Sequence, residues 1–498
     1  MTILMSLLAA LIAVVTLPRR LRVAQREHYL AGSVTWVQQL WFTVSRVSFA
    51  LQLVAVALVV LGAFTTTLLW LPAAVLAAVT PLGLPWKGRT SALAWTPRLR
   101  RVAAVSAVLL LVAGVVGLGA LVAVLPALVV DAALYVTAPL ERALSRKYVV
   151  AAKERIAKVQ PTVIAITGSY GKTSTKNYLA HLLGTSHSLL ASPASFNNAM
   201  GLSRAVNDGL LPGTEIFVAE MGTYGPGEIA SLCEVFPPDI AVLTAIGEVH
   251  LQRMKDREGV LSAKSEITEK ASSVVVDVDD NLLRGLADDC QHRGQQVVRC
   301  STRSTAADVA LVDGHLHVQG EDLGPVTLPD TAISGNTAVA LGAALALGDD
   351  LRLLLPRLKD LPTVAHRLEP MAQPGGSWIL DDTYNSNPVG AALAVRRATE
   401  LAGRSGGRVH VVTPGMVELG DLQEERNTQL GTAIRDSGAA TLVVVGRTNA
   451  VALVEGGRGG DTEVVEVADR AAGVALVQSR SAAGDVVLFE NDLPDHYP

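Results

Sequence analysis

The segment ITGSYGKTSTK, residues 166–176, combines two glycines with a lysine and a run of hydroxyl side chains. Gly168 and Gly171 allow backbone N–H groups to curl around phosphate oxygens at the N-terminus of a helix. Lys172 adds a cation, and the hydroxyl of Thr173 suits a magnesium ion. The segment is therefore predicted to bind nucleotide phosphates; the alternative is an accidental glycine turn.

The flanking sequence predicts the elements that would hold this loop. Residues 161–166, PTVIAI, form a short β-branched run typical of a strand, and apolar residues at helical spacing follow between positions 178 and 183. The spacing G-x-x-G-K-T is shorter than the general G-x-x-x-x-G-K-[ST] pattern. Even so, a glycine loop between a strand and a helix is the setting in which such a sequence binds phosphate.

Three further apolar runs end in residues that could bind a metal ion or a ribose. TEIFVAEMG brings Glu220 to a strand end, PDIAVLTAIGEVH brings His250, and SWILDDTYN brings Asp381 and Asp382. In open α/β sheets, ligands bind beyond the carboxyl ends of the strands. Each signal is weak alone, because strand ends are often polar only for solvation. Together the four strand ends predict one site.

The first 150 residues differ in composition from the remainder. They carry 13 Lys and Arg against 3 Asp and Glu, whereas the remaining residues carry 29 against 43. Residues 1–18 are apolar and precede a cluster of arginines, whereas a cleavable signal carries its positive charges in front. No charged residue lies between 47 and 86, and Asp131 alone interrupts 102–140. These lengths predict a multi-pass region of about five transmembrane helices.

Basic flanking segments prefer the cytoplasm, so the arginines after residue 18 and the loop 87–101 are predicted to lie inside. Turns are expected near 62–67 and 117–119. A single crossing by the last apolar segment would place the nucleotide loop outside, where ATP is scarce; a double crossing or a re-entrant loop places it inside. We therefore expect a cell-membrane protein with cytoplasmic catalytic domains. Asp131 is expected at a helix end at the interface, with an intramembrane functional carboxylate as the alternative.

The three cysteines, Cys233, Cys290 and Cys300, show neither metal-ligand spacing nor the even number of a secreted disulfide framework. This pattern is typical of a reduced domain that faces the cytosol. The soluble part is acidic, and no nucleic-acid partner is expected.

Five segments in order resemble motifs of the Mur ligases, most closely the branch that adds D-alanyl-D-alanine to the muramoyl tripeptide. The segments are TGSYGKTSTK, SFNNAMGL, AEMGTYGPGEI, AIGEVHL…AKSEI and DDTYNSNP. The resemblance covers about residues 160–490. It implies a multi-domain chain with transmembrane helices in 1–150, an α/β P-loop ATP-binding domain in 160–350 and a Rossmann-like α/β domain in 351–498.

The resemblance implies ATP-dependent amide formation with ATP and Mg²⁺ as cofactors. A carboxylate attacks the γ-phosphate, and an amine then displaces phosphate from the acyl phosphate. Such chemistry depends more on charge neutralisation than on a strong base. The expected partners are a carboxylate acceptor, an amino acid or dipeptide that supplies the amine, and membrane lipids. One hypothesis is that the acceptor is lipid-linked or polymeric.

The same resemblance implies roles for individual residues at the phosphates and metals. The loop residues Gly168, Ser169, Gly171, Lys172, Thr173 and Ser174 would hold ATP. Thr173 and Glu220 would bind Mg²⁺, and His250 would support a second metal. Lys264, in AKSEI, matches a lysine that the family often carbamylates into a metal-bridging carboxylate. The alternatives are a core histidine at 250 and a solvated helix lysine at 264.

Further residues are expected at the nucleoside and the substrates. Asn336 matches an adenine contact, Arg367 an arginine near the phosphates, and Asp382 the carboxylate on the ribose. A surface hinge residue is the alternative for Arg367. The residues expected near the substrates are Asn197, Asn198, Tyr384, Asn385 and Asn387.

Three departures from the family pattern bear on the substrates. Membrane segments occupy the place of a small domain that grips UDP. Gly335 and Val339 stand where the family tends to have His and Asn. Acidic residues replace a basic K-G-S-R-like segment near the end of the sequence: Glu490, Asp492 and Asp495.

These departures predict a membrane-held amide ligase in cell-wall or cell-surface polymer synthesis, with an acceptor or amine that differs from the family's. One alternative is a polymerising ligase of the poly-γ-glutamate type. The other, from a different class, is a nucleotide-gated membrane scaffold or transport component.

Overall fold

The computed structural model describes residues 1–86, 88, 92–194, 196–364, 366–384 and 386–498. The predicted loop residues Lys87 and Arg89 lie outside this part of the chain. Two compact units are present. The helical unit comprises Met1–Leu144, Gly446–Thr448 and Leu493–Pro498, and the sheet unit comprises Ser145–Val445 and Asn449–Asp492.

The helical unit is built from apolar helices, the last of which continues into the sheet unit. Their bounds are α1 (Thr2–Arg26), α2 (Ser33–Val44), α3 (Arg46–Phe64), α4 (Trp70–Val79), α5 (Pro97–Val115), α6 (Gly119–Ala123) and α7 (Pro126–Val159). Among the described residues, only α1 and α3 are long and apolar enough to cross a membrane. Both predicted turns are confirmed, between α3 and α4 and between α5 and α6. The number of spans stays a prediction.

Small residues allow the helices of this unit to approach closely. Ala9 and Ala10 in α1 are fully buried. A Cβ on Gly119, at the start of α6, would lie 2.1 Å from the Ser6 carbonyl oxygen. The Gly119 N–H donates to Ser6 Oγ at 2.7 Å. Small residues at these positions let the backbones of neighbouring helices make close van der Waals contact.

Buried arginines complete the end of α4. Arg19 donates to Ala78 O at 2.6 Å, and Arg20 donates to Ala77 O at 2.9 Å and Thr80 O at 2.7 Å. The last carbonyls of a helix have no partner within it, so these guanidinium groups supply the missing donors. The arginines that the sequence placed in a cytoplasmic flank are therefore also part of the packing.

Asp131 is hydrogen-bonded to the start of α2. The sequence favoured a helix end, but Asp131 lies inside α7. Its carboxylate accepts hydrogen bonds from the backbone of Gly32 at 2.9 Å and from the backbone and hydroxyl of Thr35 at 2.8 and 2.5 Å. A carboxylate at this point satisfies free N–H groups and the positive end of the α2 dipole.

The last residues of the sequence pack within the helical unit. Asp495 forms an ion pair with Arg22, and His496 Nε2 lies 2.9 Å from Glu27 Oε1. Trp41 Nε1 donates to His496 O at 2.8 Å. The segment Leu493–Pro498 therefore shares a side of this unit with the end of α1 and with α2.

The sheet unit contains a nine-stranded sheet and a six-stranded sheet. The first has the order β2-β3-β1-β4-β5-β6-β7-β8-β9 and is parallel up to β7. Its strands are β1 (Thr162–Thr167), β2 (Leu189–Ala191), β3 (Ile216–Glu220), β4 (Ile240–Leu243), β5 (Ser273–Asp277), β6 (Gln296–Ser301), β7 (Val309–Val312), β8 (His315–Val318) and β9 (Glu321–Pro325). Its helices are α8 (Lys172–Leu183), α9 (Ala199–Gly209), α10 (Glu228–Val235), α11 (Leu251–Met254), α12 (Arg257–Ser265), α13 (Asn281–His292) and α14 (Ser334–Leu347).

The second sheet has the order β10-β11-β15-β12-β13-β14, with only β10 antiparallel to its neighbour. Its strands are β10 (Glu369–Ala372), β11 (Trp378–Asp382), β12 (Val409–Thr413), β13 (Thr441–Val445), β14 (Glu463–Val467) and β15 (Val486–Glu490). Its helices are α15 (Pro388–Ser405), α16 (Gln423–Asp436), α17 (Ala450–Gly457) and α18 (Arg470–Arg480).

Central β1 is buried on both faces, which explains its continuous apolar sequence. It lies between β3 and β4. The carboxyl ends of these three parallel strands therefore meet at one edge, and the predicted strands before the glycine loop, Glu220 and His250 are confirmed. The fourth predicted strand, β11, belongs to the second sheet.

Candidate active site

The glycine loop joins β1 to α8, and its glycines are required by close approach. Gly171 has φ +84°, and a Cβ there would lie 2.3 Å from Asn336 Oδ1 on α14. Gly168 has φ +152°, and its Cβ would lie 2.0 Å from Thr244 Oγ1 after β4. The loop is thus packed against the helix and the strand end that flank it. The N-terminus of the 12-residue α8 faces this loop, as a phosphate site requires.

The side chains of the loop make intramolecular contacts. Lys172 is half-buried, and its Nζ donates to Gly168 O at 2.6 Å. Burial lowers the pKa of Lys172 to about 8. Ser169 N donates to Ala245 O at 2.8 Å, and Gly247 N donates to Ser169 Oγ at 2.8 Å. Ser169 therefore ties the loop to the segment after β4.

Glu220, at the end of β3, is the centre of a buried polar cluster. Thr173 Oγ1 donates to Glu220 Oε2 at 3.0 Å, and Lys176 Nζ lies 3.1 Å from the same oxygen. Asn197 Nδ2 donates to Oε1 at 3.3 Å. Glu220 and Lys176 are only 2% and 1% exposed, which leaves the carboxylate neutralised by a buried cation. Three of the predicted residues are thus in direct contact.

Lys176 is a residue that the sequence analysis missed. It stands in the quoted TSTK run, four residues after Lys172, so that both lysines lie on one face of α8. This helical spacing was the available signal. The partner of Lys176 could not be read from spacing, because Glu220 is 44 residues away.

His250 follows β4 in a left-handed backbone conformation, with φ +54°. Its Nδ1 pairs with the carboxylate of Glu418, and the Tyr224 ring lies 5.0 Å away, centroid to centroid. The imidazole is 24% exposed and its Nδ1 has a carboxylate partner, so the role of His250 at a metal stays a prediction. Glu418 is a second residue that sequence reasoning missed.

Lys264 is nearly fully buried on α12, so the alternative of a solvated helix lysine is wrong. Burial, and then the charge of Lys172, hold the pKa of Lys264 well below its usual value. A neutral amine is the form that burial favours. It is also the form that reacts with CO₂ to give a carbamate.

The oxygen donors of Thr173 and Glu220 fit a magnesium ion, which prefers hard ligands and retains waters. Across the described ranges, no group of three or more His, Cys, Asp and Glu side chains is placed to hold a metal. A metal at this edge would therefore draw on the threonine hydroxyl, on substrate phosphates or on a modified lysine. His250 pairs with Glu418 and does not contact Glu220.

The predicted nucleoside residues near the second sheet lie close to one another, and the charge of Arg367 adds to burial in lowering the pKa of Lys172 in the glycine loop. The Arg367 guanidinium lies 4.4 Å from the centre of the Tyr384 ring. Asp382 accepts a hydrogen bond from Leu368 N at 3.3 Å. Burial, followed by the charge of Glu490, raises the pKa of Asp382 to about 7. Asn385 lies outside the described residues.

Two predicted substrate residues have capping roles. Asn198 accepts from Gly201 N at 2.9 Å and caps α9, and Asn387 accepts from Gly390 N at 2.9 Å and caps α15. In the ATP-binding region, Ser174 on α8 and Asn336 on α14 are buried. Asn198 and Asn387 thus each have a local partner, the backbone N–H three residues along the chain.

The acidic residues near the end of the sequence have intramolecular partners. Glu490 is fully buried at the end of β15 and accepts hydrogen bonds from Ser386 and Thr413. Asp492 pairs with Arg470 at 2.5 Å, and Asp495 pairs with Arg22. The charge change from the family pattern is therefore matched by partners within this chain.

The chain is similar to known proteins in sequence and in structure. UDP-N-acetylmuramoyl-tripeptide–D-alanyl-D-alanine ligase of Bacillus subtilis is 29% identical over 353 residues, which are 68% of this chain and 75% of the relative. The enzyme of that name from Mycobacterium tuberculosis is 28% identical over 362 residues, 66% of this chain and 70% of the relative. The crystal structure of MurF ligase from Thermotoga maritima in complex with ADP has a TM-score of 0.60 and 26% identity, and it covers 70% of this chain and 80% of that chain.

Two family models match consecutive parts of the sheet unit. The Mur ligase middle domain matches residues 166–340, and the Mur ligase glutamate ligase domain matches residues 366–490. The first includes the glycine loop, Glu220, His250 and Lys264, and the second includes Asp382. The two models together match more than half of the chain, which therefore belongs to the Mur ligase family.

Proposed function

We propose that this chain is a membrane-held, ATP-dependent ligase that forms an amide bond in peptidoglycan or cell-surface polymer synthesis. The observation that carries the proposal is the cluster at the edge of the first sheet, where Thr173 and Lys176 meet Glu220 beside the glycine loop. Lys264 is buried, and burial followed by the charge of Lys172 holds its pKa well below the usual value, which favours the neutral amine. A protein that only binds nucleotide as a regulatory switch would not need Lys264, a second buried lysine influenced by the charge of Lys172.

The reaction is proposed to pass through an acyl phosphate. Lys172 and the loop N–H groups hold the β and γ phosphates of ATP while a substrate carboxylate oxygen attacks the γ phosphorus and ADP leaves. The incoming amine then attacks the acyl carbon, phosphate leaves, and the amine loses a proton. Thr173 and Glu220 would hold Mg²⁺, which when bound supplies charge neutralisation for the phosphates.

The remaining residues position the reactants. Arg367 carries its charge beside Tyr384, and Asp382 provides a carboxylate suited to a ribose hydroxyl. Asn197 orients Glu220 through its amide. Each group acts by placing charge or a hydrogen bond, which is the contribution that phosphoryl transfer most requires.

The cytoplasmic placement of the catalytic domains is supported by the helical unit. Glu27 and His496 are hydrogen-bonded, so they lie on the same side of any membrane that this unit crosses. The chain must then cross an even number of times between them. The four crossings of the proposed five-span arrangement meet that condition, although of the described helices between these two residues only α3 is by itself long and apolar enough to cross.

The first prediction tests the function itself. Purified protein with Mg²⁺ and ATP should release phosphate only when a carboxylate acceptor and D-alanyl-D-alanine are both present. Because helices occupy residues 1–150, a lipid-linked muramoyl peptide in vesicles should be the better acceptor, and soluble UDP-muramoyl tripeptide the poorer. A rate of phosphate release that does not depend on either substrate would contradict the ligase assignment. Efficient use of the UDP-linked tripeptide would contradict only the lipid-linked acceptor.

The second prediction concerns Lys172. Lys172→Ala should lower phosphate release by about 100-fold or more, since a positioned charge typically contributes that much to transition-state stabilisation. The matched control is Lys270→Ala, because Lys270 is a surface lysine that is 40% exposed. Equal rates for the two variants would remove Lys172 from the site.

The third prediction tests Lys264 as a carbamate. Lys264→Ala should be nearly inactive, and formate or acetate should restore part of the rate by placing a carboxylate in the gap. Restoration should be absent in the Lys172→Ala variant, whose missing charge a carboxylate cannot replace. Mass spectrometry in bicarbonate that finds only unmodified lysine in an active enzyme would exclude the carbamate.

The fourth prediction tests the topology with introduced cysteines. The native Cys233, Cys290 and Cys300 are buried and should react slowly. A membrane-impermeant maleimide should label Thr65→Cys and Val116→Cys in intact cells. It should label Ala92→Cys only after the cells are opened. Labelling of Ala92→Cys in intact cells would overturn the five-span arrangement.

A further inference from the structure

The segment after β4 and the segment after β12 meet at two residues with unusual backbones. His250 has φ +54° and Glu418 has φ +65°. Such left-handed conformations are costly for non-glycine residues and persist where the surroundings hold them. Leu251 N donates to Glu418 O at 2.9 Å, while the Glu418 carboxylate pairs with His250 Nδ1. Glu418 therefore contacts the His250 segment through its backbone carbonyl and through its side chain.

A second contact joins the same two segments. Arg426 donates from Nε and Nη2 to the two carboxylate oxygens of Glu248 at 2.6 and 2.8 Å. Both side chains are about four-fifths buried, at 22% and 18% exposure. A two-pronged contact of this geometry fixes orientation as well as distance. Glu248 and Leu251, on either side of His250 in the sequence, are therefore both bonded to the segment after β12.

The tautomer of His250 follows from its partner. An ionised carboxylate can only accept a hydrogen bond, so Glu418 keeps the proton on Nδ1. The lone pair is then on Nε2, which is the form of imidazole that binds a metal ion or accepts a proton. A carboxylate behind a histidine orients the ring and raises its basicity in many metal sites.

We propose that Glu418 is a positioning residue that acts on the ligase reaction through His250, and that the Glu248–Arg426 pair only holds the segment in place. The inference rests on the proposed function and on the metal-supporting role that the family resemblance implies for His250. Glu418 lies 168 residues from His250, in the part of the chain that matches the second family model. The nucleotide site in the first sheet therefore depends on a side chain from the second domain of the family.

The test compares three variants that each remove one charge. Glu418→Gln removes the carboxylate behind His250, Arg426→Gln removes the second contact, and Glu424→Gln changes an exposed neighbour. Mn²⁺ affinity is measured by electron paramagnetic resonance with a non-hydrolysable ATP analogue, so that one readout is independent of turnover. kcat, the KM for ATP and thermal unfolding are measured alongside.

Glu418→Gln should weaken Mn²⁺ binding and lower kcat by about 10–100-fold, the usual effect of losing such a partner. The KM for ATP and the unfolding temperature should stay near those of Glu424→Gln. Arg426→Gln should lower the unfolding temperature and leave Mn²⁺ affinity within about threefold of the wild type, because coupling to the metal is indirect. In a His250→Ala background, Glu418→Gln should have no further effect.

Wild-type Mn²⁺ affinity in Glu418→Gln, or an equal loss in Arg426→Gln, would overturn the positioning role. Independent effects of the His250 and Glu418 changes would do the same. Failure of the wild-type chain to bind Mn²⁺ with the nucleotide, or to release phosphate with both substrates, would instead contradict the proposed function.

Discussion

The arrangement of the site depends on the pairing of the buried Glu220 carboxylate with Lys176 and Thr173. A carboxylate that is 2% exposed is costly unless its oxygens are paired, and here Lys176, Thr173 and Asn197 pair them. These partners come from α8 and from the segment before α9. The requirement to neutralise one charge at the end of β3 thus fixes the position of the glycine loop beside it.

The close packing of the loop follows from the same constraint. With α8 held against Glu220, the turn before it passes within contact distance of Asn336 and Thr244, and only glycine fits at residues 171 and 168. The shape of the loop is therefore held by contacts within the protein. A preformed anion site avoids the entropic cost of ordering a loop on binding.

The helical unit uses polar groups in a comparable way. Arg19 and Arg20 saturate the carbonyls at the end of α4, and Asp131 saturates the N–H groups at the start of α2. The terminal N–H and C=O groups of a helix have no partner within it, so side chains supply the missing hydrogen bonds. Arg19, Arg20 and Asp131 are buried and have this structural role.

The sequence by itself determined the family, the strand–loop–helix around Lys172 and the three strand ends that meet at the first sheet. These features are local, because glycine spacing, β-branched runs and motifs each lie within a short stretch of consecutive residues. The two turns in the helical region were also predictable, because threonine and glycine runs interrupt its apolar sequence.

The tertiary structure decided which side chains meet. Lys176 and Glu220 are 44 residues apart, and His250 and Glu418 are 168 apart. Likewise, the acidic residues Asp492 and Asp495 have arginine partners in other segments. Spacing along a chain fixes which face of an element a residue occupies, whereas burial and partnership depend on how the elements pack, and that is settled only when the whole chain has folded.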